Sequence, residues 1–121
     1  MLFRSDELVS RLSKKAEALK VGPGMDKSSE MGPLVTKEHL EKVKRYVDLG
    51  VKEGAKLIVD GRDLKLQGYE NGFYIGGCLF DKVSKDMRIY KEEIFGPVLS
   101  VVRVKTFEEA SKLIKIGRAH V

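Results

Sequence analysis

The spacing of apolar residues predicts two amphipathic helices in the first half of the chain. Across residues 6–20, apolar side chains return every three or four positions, and two glycines and a proline within residues 21–24 would end the helix. Thr36 can cap a second helix that runs to about Glu53, and Gly54 can end it. The apolar faces consist of Leu8, Val9, Leu12, Ala16 and Leu19 in the first helix, and Leu40, Val43, Val47 and Val51 in the second.

The second half of the chain alternates between short apolar runs and turn signals. Residues 56–59 predict a strand closed by a turn at Asp60-Gly61, and residues 62–72 predict a loop or an irregular hairpin. Residues 73–80 predict a second strand, made of 73–75 and 78–80 and interrupted by two glycines. Residues 98–104 predict a third strand.

A last helix is predicted after the third strand, because Thr106 and Glu109 have the spacing of a capping box. Its apolar positions are Phe107, Ala110, Leu113 and Ile114. Helices that alternate with short strands predict an α/β fold, without an internal repeat.

Composition narrows the classes of function. The net charge of +5 comes from lysines interleaved with carboxylates, so the chain lacks the basic stripe with aromatics that nucleic-acid binding would need. No apolar run has the length of a membrane span. The single cysteine, Cys78, cannot form an internal disulfide, which fits a reducing compartment.

Both ends of the sequence differ in character from the rest. Residues 2–5 and 116–121 resemble translated sequencing-adapter DNA, and the two encoding sequences would be reverse complements over part of their length. We therefore expect the authentic protein to cover residues 6–115, with non-native ends at 1–5 and 116–121. Arg118 and His120 should accordingly carry no function.

The segment of residues 90–98, Tyr-Lys-Glu-Glu-Ile-Phe-Gly-Pro-Val, directly precedes the third predicted strand. It brings a carboxylate pair, an aromatic ring and a Gly-Pro break to the end of a buried element. Ligands of α/β proteins bind at such element ends. The residues alone therefore predict a small-molecule site.

Residues 92–97 resemble the Glu-Glu-Ile-Phe-Gly-Pro signature of the NAD(P)-dependent aldehyde dehydrogenase superfamily, and residues 21–26, 31–36 and 53–55 resemble further blocks of that family. The branch that is most similar is the CoA-acylating methylmalonate-semialdehyde dehydrogenases. That similarity rests on residues 59–62, 68–73 and 89–93. The resemblance implies that the chain is a fragment of the aldehyde dehydrogenase catalytic domain.

Enzymes of that branch oxidise malonate or methylmalonate semialdehyde with NAD and CoA, and they release carbon dioxide and acetyl-CoA or propionyl-CoA. The resemblance thus implies an oxidoreductase of valine catabolism, homo-oligomeric, and located in the cytoplasm or, in a eukaryote, in the mitochondrial matrix. It also implies that the nucleophilic cysteine, the oxyanion asparagine, the dinucleotide-binding strands and the substrate arginines lie upstream of Asp6. The chain then contains no catalytic residue and should be inactive by itself.

Two residues match cofactor-binding positions of the family. Glu93 matches the glutamate that accepts hydrogen bonds from the nicotinamide-ribose hydroxyls, and a carboxylate suits this role because it offers two acceptor oxygens. Phe95 matches the aromatic residue that contacts the nicotinamide ring. The alternatives are a solvated carboxylate for Glu93 and plain core packing for Phe95. Glu92 is expected to be only a surface or helix-terminus charge.

Cys78 and His39 are the remaining residues with reactive side chains. No histidine or basic cluster flanks Cys78 to lower its pKa, so we expect it to pack inside a strand. His39 has no second metal-ligand type at helical spacing, so it should lie at the surface or be satisfied within the core, and no metal site is predicted.

Two other functions remain open at this point. A different aldehyde dehydrogenase branch would hydrolyse the acyl intermediate to the free acid, and the residues around the missing cysteine would distinguish it. A small binding module of another class would need native, capped termini.

Overall fold

In the computed structural model, the backbone is described for residues 2–118 and the side chains for residues 4–114, so His120 lies outside the described residues. Helices and strands alternate, which confirms the predicted α/β class. In chain order the elements are α1 (Leu2–Glu17), α2 (Lys37–Lys52), β1 (Lys56–Val59), β2 (Cys78–Asp81), α3 (Arg88–Lys91), β3 (Val98–Ser100) and α4 (Phe107–Arg118).

The sheet has three strands in the order β1-β2-β3. The central strand β2 pairs antiparallel with β1 and parallel with β3, with Cys78 opposite Val98 and Phe80 opposite Ser100. All four residues of β2 are buried. Because side chains alternate along a strand, Cys78 and Phe80 face one side of the sheet, and Leu79 and Asp81 face the other.

Helix α2 covers the Phe80 side of the sheet. Val43 and Val47 of this helix are completely buried against Cys78 and Phe80. Gly50 lets the helix approach closely, since a Cβ atom there would lie 2.7 Å from Cζ of Phe80. Two other side chains of α2, His39 and Tyr46, contact the segment between α3 and β3.

Helix α1 covers the opposite side, where Val9 packs with Val59 and Leu79. The same side contains a buried carboxylate, Asp81, which is 3% exposed. Arg103 donates to it from Nε at 3.1 Å and from Nη2 at 2.7 Å. Nη1 of Arg103 donates to Asp6 of α1 at 2.8 Å, so one guanidinium joins α1, the end of β2 and the segment after β3.

This ion pair should make stability depend on pH. Hydrogen bonding by Arg103 holds the pKa of Asp81 below its usual value, so its stabilising contribution is present above the unfolded pKa, about 3.9, and is lost as the pH falls through the lower folded pKa. We expect Asp81→Asn to lower the free energy of unfolding by about 2 kcal/mol at pH 7. Urea denaturation of the chain should show this difference shrinking as the pH falls below about 3.9.

Asp6→Asn is the matched control, because the Asp6 side chain is 67% exposed. An exposed pair contributes about 0–1 kcal/mol, so this variant should remain close to the parent chain. A difference for Asp81→Asn that is as large at pH 2 as at pH 7 would contradict the assignment.

Some element boundaries differ from the predictions. Residues 73–75 are not a strand, and the third strand ends at Ser100 instead of residue 104. The chain turns after Asp81, with Lys82 at φ 56°, and the regular pairing of β2 with β3 ends at Phe80 and Ser100. Helix α1 spans residues 2–17 instead of 6–20, whereas α2 and its Thr36 cap are confirmed: Oγ1 of Thr36 accepts from the His39 amide.

Helix α3 was not predicted. Its N-cap residue, Met87, supplies no side-chain cap, and the amide of Arg88 instead donates to the Glu53 carboxylate at 2.7 Å. Glu53 is the C-cap residue of α2, so α3 begins where α2 ends. Within residues 2–118, no helix is long and apolar enough to cross a membrane.

Candidate functional site

The candidate site is the segment of residues 92–97, which connects α3 to β3 and is called here the Glu93 loop. It lies at the amino ends of the parallel strands β2 and β3, where the Cys78 amide donates to the Pro97 carbonyl at 2.9 Å. This contact ties the end of the loop to the buried central strand.

Burial alternates along the loop. Ile94 is 9% exposed and belongs to the core beside α2, and a Cβ atom on Gly96 would lie only 2.7 Å from Cγ2 of Val43. Glu93 and Phe95 are exposed. Ile94 and Gly96 therefore pack beside α2, while the two predicted site residues, Glu93 and Phe95, face outward.

The two predicted site residues are available to a ligand. Phe95 is 74% exposed, an unusual position for a phenylalanine, and its backbone has a φ of 60°. A non-glycine residue in this left-handed region stores strain, and such strain concentrates at functional sites. Among the residues that the structure describes, none hydrogen-bonds the Glu93 carboxylate. Core packing, the alternative for the Phe95 side chain, is therefore wrong for the chain as described.

Within the described residues, Glu92, unlike Glu93, accepts hydrogen bonds from two side chains. Tyr46 of α2 donates to its Oε1 at 2.8 Å, and Arg88 donates from Nε to Oε2 at 2.5 Å and from Nη2 to Oε1 at 3.1 Å. The hydrogen bonds from Arg88, followed by the one from Tyr46, lower the pKa of Glu92 to about 2. Glu92 is the C-cap residue of α3, which confirms the expected helix-terminus charge, but its link to α2 was not foreseen.

His39 contacts the loop at Phe95. Its Nε2–H donates to the Phe95 carbonyl at 2.6 Å, and its ring meets the Phe95 ring edge-on, with centroids 6.4 Å apart. The side chain is half-buried, so the expectation of a satisfied histidine holds. Its partner was not predictable from spacing, because the two residues are 56 positions apart.

Cys78 packs in the core, as predicted, and is 2% exposed. Burial raises the pKa of its thiol, and the amide of Gly61 donates to Sγ at 3.3 Å. A buried thiol with a raised pKa has little thiolate at neutral pH and is a poor nucleophile. The described residues also contain no cluster of three histidine, cysteine or acidic side chains that could hold a metal ion.

Alkylation checks this view of Cys78. In the folded chain, iodoacetamide should leave Cys78 essentially unmodified, and in urea it should label the same residue quickly because the thiol is then in water. Mass spectrometry of the two samples measures the difference. Cys78→Thr should cause only a small change in stability, since the volumes are similar. Labelling of folded and unfolded chain at one rate would contradict the prediction.

The arrangement offers binding chemistry and no reactive centre. It presents a carboxylate with two free acceptor oxygens beside a flat apolar ring, both on a loop fixed to the core. Such a pair can bind a ligand that has neighbouring hydroxyl donors and a planar ring.

Comparison with known proteins gives consistent results. The sequence model described as the aldehyde dehydrogenase family matches residues 4–115. Malonate-semialdehyde dehydrogenase of Pseudomonas aeruginosa is 54% identical over 110 residues, which cover 91% of this chain and 22% of the relative. The chain thus spans about a fifth of the length of the curated relatives that it matches.

Solved structures agree. A Sinorhizobium meliloti protein, assigned as a methylmalonate-semialdehyde dehydrogenase and complexed with NAD, superposes with a TM-score of 0.88 at 56% identity over 90% of this chain and 22% of its own. Methylmalonate-semialdehyde dehydrogenase from Oceanimonas doudoroffii gives 0.86 at 48% identity with the same coverages.

Proposed function

Because this chain belongs to the aldehyde dehydrogenase family, we propose that it forms part of an NAD-dependent enzyme that oxidises malonate or methylmalonate semialdehyde. The 54% identity to a malonate-semialdehyde dehydrogenase supports this substrate class. We further propose CoA as the acyl acceptor, so that the products are acetyl-CoA or propionyl-CoA, as expected of a cytoplasmic enzyme of valine catabolism.

The observation that carries the proposal is the outward-facing pair of Glu93 and Phe95. The free Glu93 carboxylate fits the ribose hydroxyls of NAD, because two acceptor oxygens can take two hydroxyl donors. The Phe95 ring, 74% exposed, fits the face of the nicotinamide. When bound, NAD supplies the hydride acceptor of the oxidation. The role of the two residues is to bind and orient it.

The remaining chemistry belongs to parts of the enzyme outside this chain. Oxidation through a thioester needs a reactive thiolate and donors for the oxyanion. Cys78 cannot be that thiolate because it is buried and its pKa is raised. We therefore place the nucleophile and the arginines for the substrate carboxylate upstream, and we expect the isolated chain to be inactive.

A graft tests the proposal. Residues 6–115 replace the matching segment of the Pseudomonas aeruginosa enzyme, and NADH absorbance is followed with malonate semialdehyde, NAD and CoA. The graft should form NADH, and the 121-residue chain alone should form none. Mass spectrometry of the product distinguishes acetyl-CoA from a free acid, which is the product of the competing branch.

Either of two results would overturn the proposal. One is a folded graft that forms no NADH, with the unaltered Pseudomonas enzyme active under the same conditions. The other is NADH formation by the isolated chain in proportion to its concentration.

A further inference from the structure

We propose that helix α2 sets the position of the Glu93 loop through two side chains. His39 binds the Phe95 carbonyl, and Tyr46 binds the Glu92 carboxylate. His39 and Glu92 are then positioning residues, because they hold Glu93 and Phe95 where these two can contact the cofactor. The inference rests on the proposed function, because it concerns how the loop presents its two outward residues to NAD. Neither His39 nor Glu92 needs to touch the cofactor for this role.

Two side chains on one face of α2 contact the loop at separate points. His39 and Tyr46 are seven residues apart, which places them about two turns and 10.5 Å apart on one face of the helix. His39 holds the Phe95 carbonyl at 2.6 Å and Tyr46 holds the Glu92 carboxylate at 2.8 Å. Glu93 lies between the two contacts and uses none of its own atoms in either.

The contact at Phe95 bears on a strained residue. A φ of 60° disfavours phenylalanine, so the backbone would relax unless neighbouring groups held it. The hydrogen bond from His39 falls on the carbonyl of that same residue, and the edge-on ring contact lies beside it. His39 is itself fixed, because its amide donates to Thr36 at the start of α2.

The contact at Glu92 is equally well supported. Both oxygens of Glu92 are used, by Arg88 and Tyr46. Arg88 is in turn tied to α2, because its amide donates to Glu53. The loop is thus held by the same helix at Glu92 and at Phe95, and Gly96 allows the backbone after Phe95 to lie directly on Val43.

Loss of either contact should leave the side chains of Glu93 and Phe95 intact but allow the loop that carries them to move. The free loop would have to be ordered when NAD binds, and that cost reduces the observed affinity. A reaction of the upstream thiolate that does not use NAD should change much less. This separation distinguishes a positioning role from a general loss of structure.

The experiment uses the graft with the variants His39→Ala and Glu92→Gln. Calorimetry should show NAD binding weakened by about 3- to 10-fold in each, the size expected for one lost hydrogen bond. Arg45→Ala and Glu41→Gln, at exposed positions of α2, are the matched controls and should stay within about 2-fold. His39→Gln should recover most of the affinity, since its amide can donate to the same carbonyl.

A second measurement needs no turnover and no NAD. Hydrogen exchange of residues 92–97 should be faster in His39→Ala than in Arg45→Ala, because the loop has lost one of its two side-chain contacts with α2. Ester hydrolysis by the upstream thiolate, measured without NAD, should change much less than NAD affinity.

Glu93→Gln serves as the reference variant, because it tests the cofactor contact itself and not the positioning of the loop. If Glu93→Gln weakens NAD binding while His39→Ala and Glu92→Gln behave like their controls, the positioning role is overturned and the proposed function stands. If Glu93→Gln binds NAD like the parent graft, Glu93 is not a cofactor contact and the positioning role fails with it, whereas the proposed function is still judged by NADH formation in the graft. Equal loss of NAD binding and ester hydrolysis in His39→Ala or Glu92→Gln would overturn the positioning role as well.

Discussion

Glu93→Gln in the graft is expected to lower hydride transfer or NAD affinity by about 10- to 100-fold, because a hydrogen bond to a charged group contributes roughly 1.5–3 kcal/mol. Glutamine keeps the shape of the side chain but replaces one acceptor oxygen by a donor and removes the charge. The carboxylate is exposed and unpaired among the described residues, so no internal contact should be lost. A nicotinamide ring that shifts by a fraction of an ångström approaches the reacting carbon poorly.

Two activities of the same protein decide the outcome. NADH formation should fall, whereas ester hydrolysis by the upstream thiolate, which uses no NAD, should change much less. Glu41→Gln, on the exposed side of α2, controls for the change in charge. Full retention of both activities would return Glu93 to the role of a solvated carboxylate, and equal loss of both would indicate misfolding.

Gly61→Ala should destabilise the chain by about 3 kcal/mol, the upper part of the range for forced overpacking. A Cβ atom on Gly61 would lie 2.3 Å from both the carbonyl carbon and the oxygen of Gly76. Because the obstacle is backbone, no side-chain rotation can relieve it. The two glycines are also joined by a hydrogen bond of 2.9 Å from the Gly76 amide to the Gly61 carbonyl.

Urea denaturation of the 121-residue chain measures this change. Gly24→Ala is the control, since a Cβ atom there meets nothing within 4 Å, and it should alter stability by no more than about 1 kcal/mol. Similar midpoints for Gly61→Ala and Gly24→Ala would show that the two backbone segments can separate without cost.

Helix α2 shows which features the sequence determines locally. Its start depends on Thr36, whose hydroxyl accepts from an amide three residues later, and its end on Gly54, which has a φ of 99°. Both signals lie within one turn of the helix that they delimit. Such elements can be predicted to within a residue or so.

Strand ends and helix α3 depend on distant residues instead. Residues 73–75 have strand-forming side chains, but β1 ends at Val59, and Gly61 and Gly76 then pack backbone against backbone without extending the ladder. Helix α3 begins where the Glu53 carboxylate, 35 positions earlier, accepts from the Arg88 amide. Neither the packing of Gly61 on Gly76 nor the hydrogen bond from Arg88 to Glu53 can be predicted from a local sequence pattern.

The same distinction applies to the site. The sequence predicts Glu93 and Phe95 as site residues because they belong to one contiguous motif. His39 and Tyr46 act on that motif from a helix about fifty residues earlier, as the separations of 56 and 46 positions show. Only the folded chain brings them together.

The ion pair between Asp6 and Arg103 affects the order of assembly during synthesis, because its members are 97 positions apart. Helix α1 leaves the ribosome before the strands that it covers, so Val9 cannot pack until Val59 and Leu79 follow, and Asp6 cannot pair until Arg103 follows. Closing so long a loop is slow compared with forming local contacts. Helix α1 should therefore be among the last elements to dock, and its apolar face is a surface that a chaperone would meet on the nascent chain.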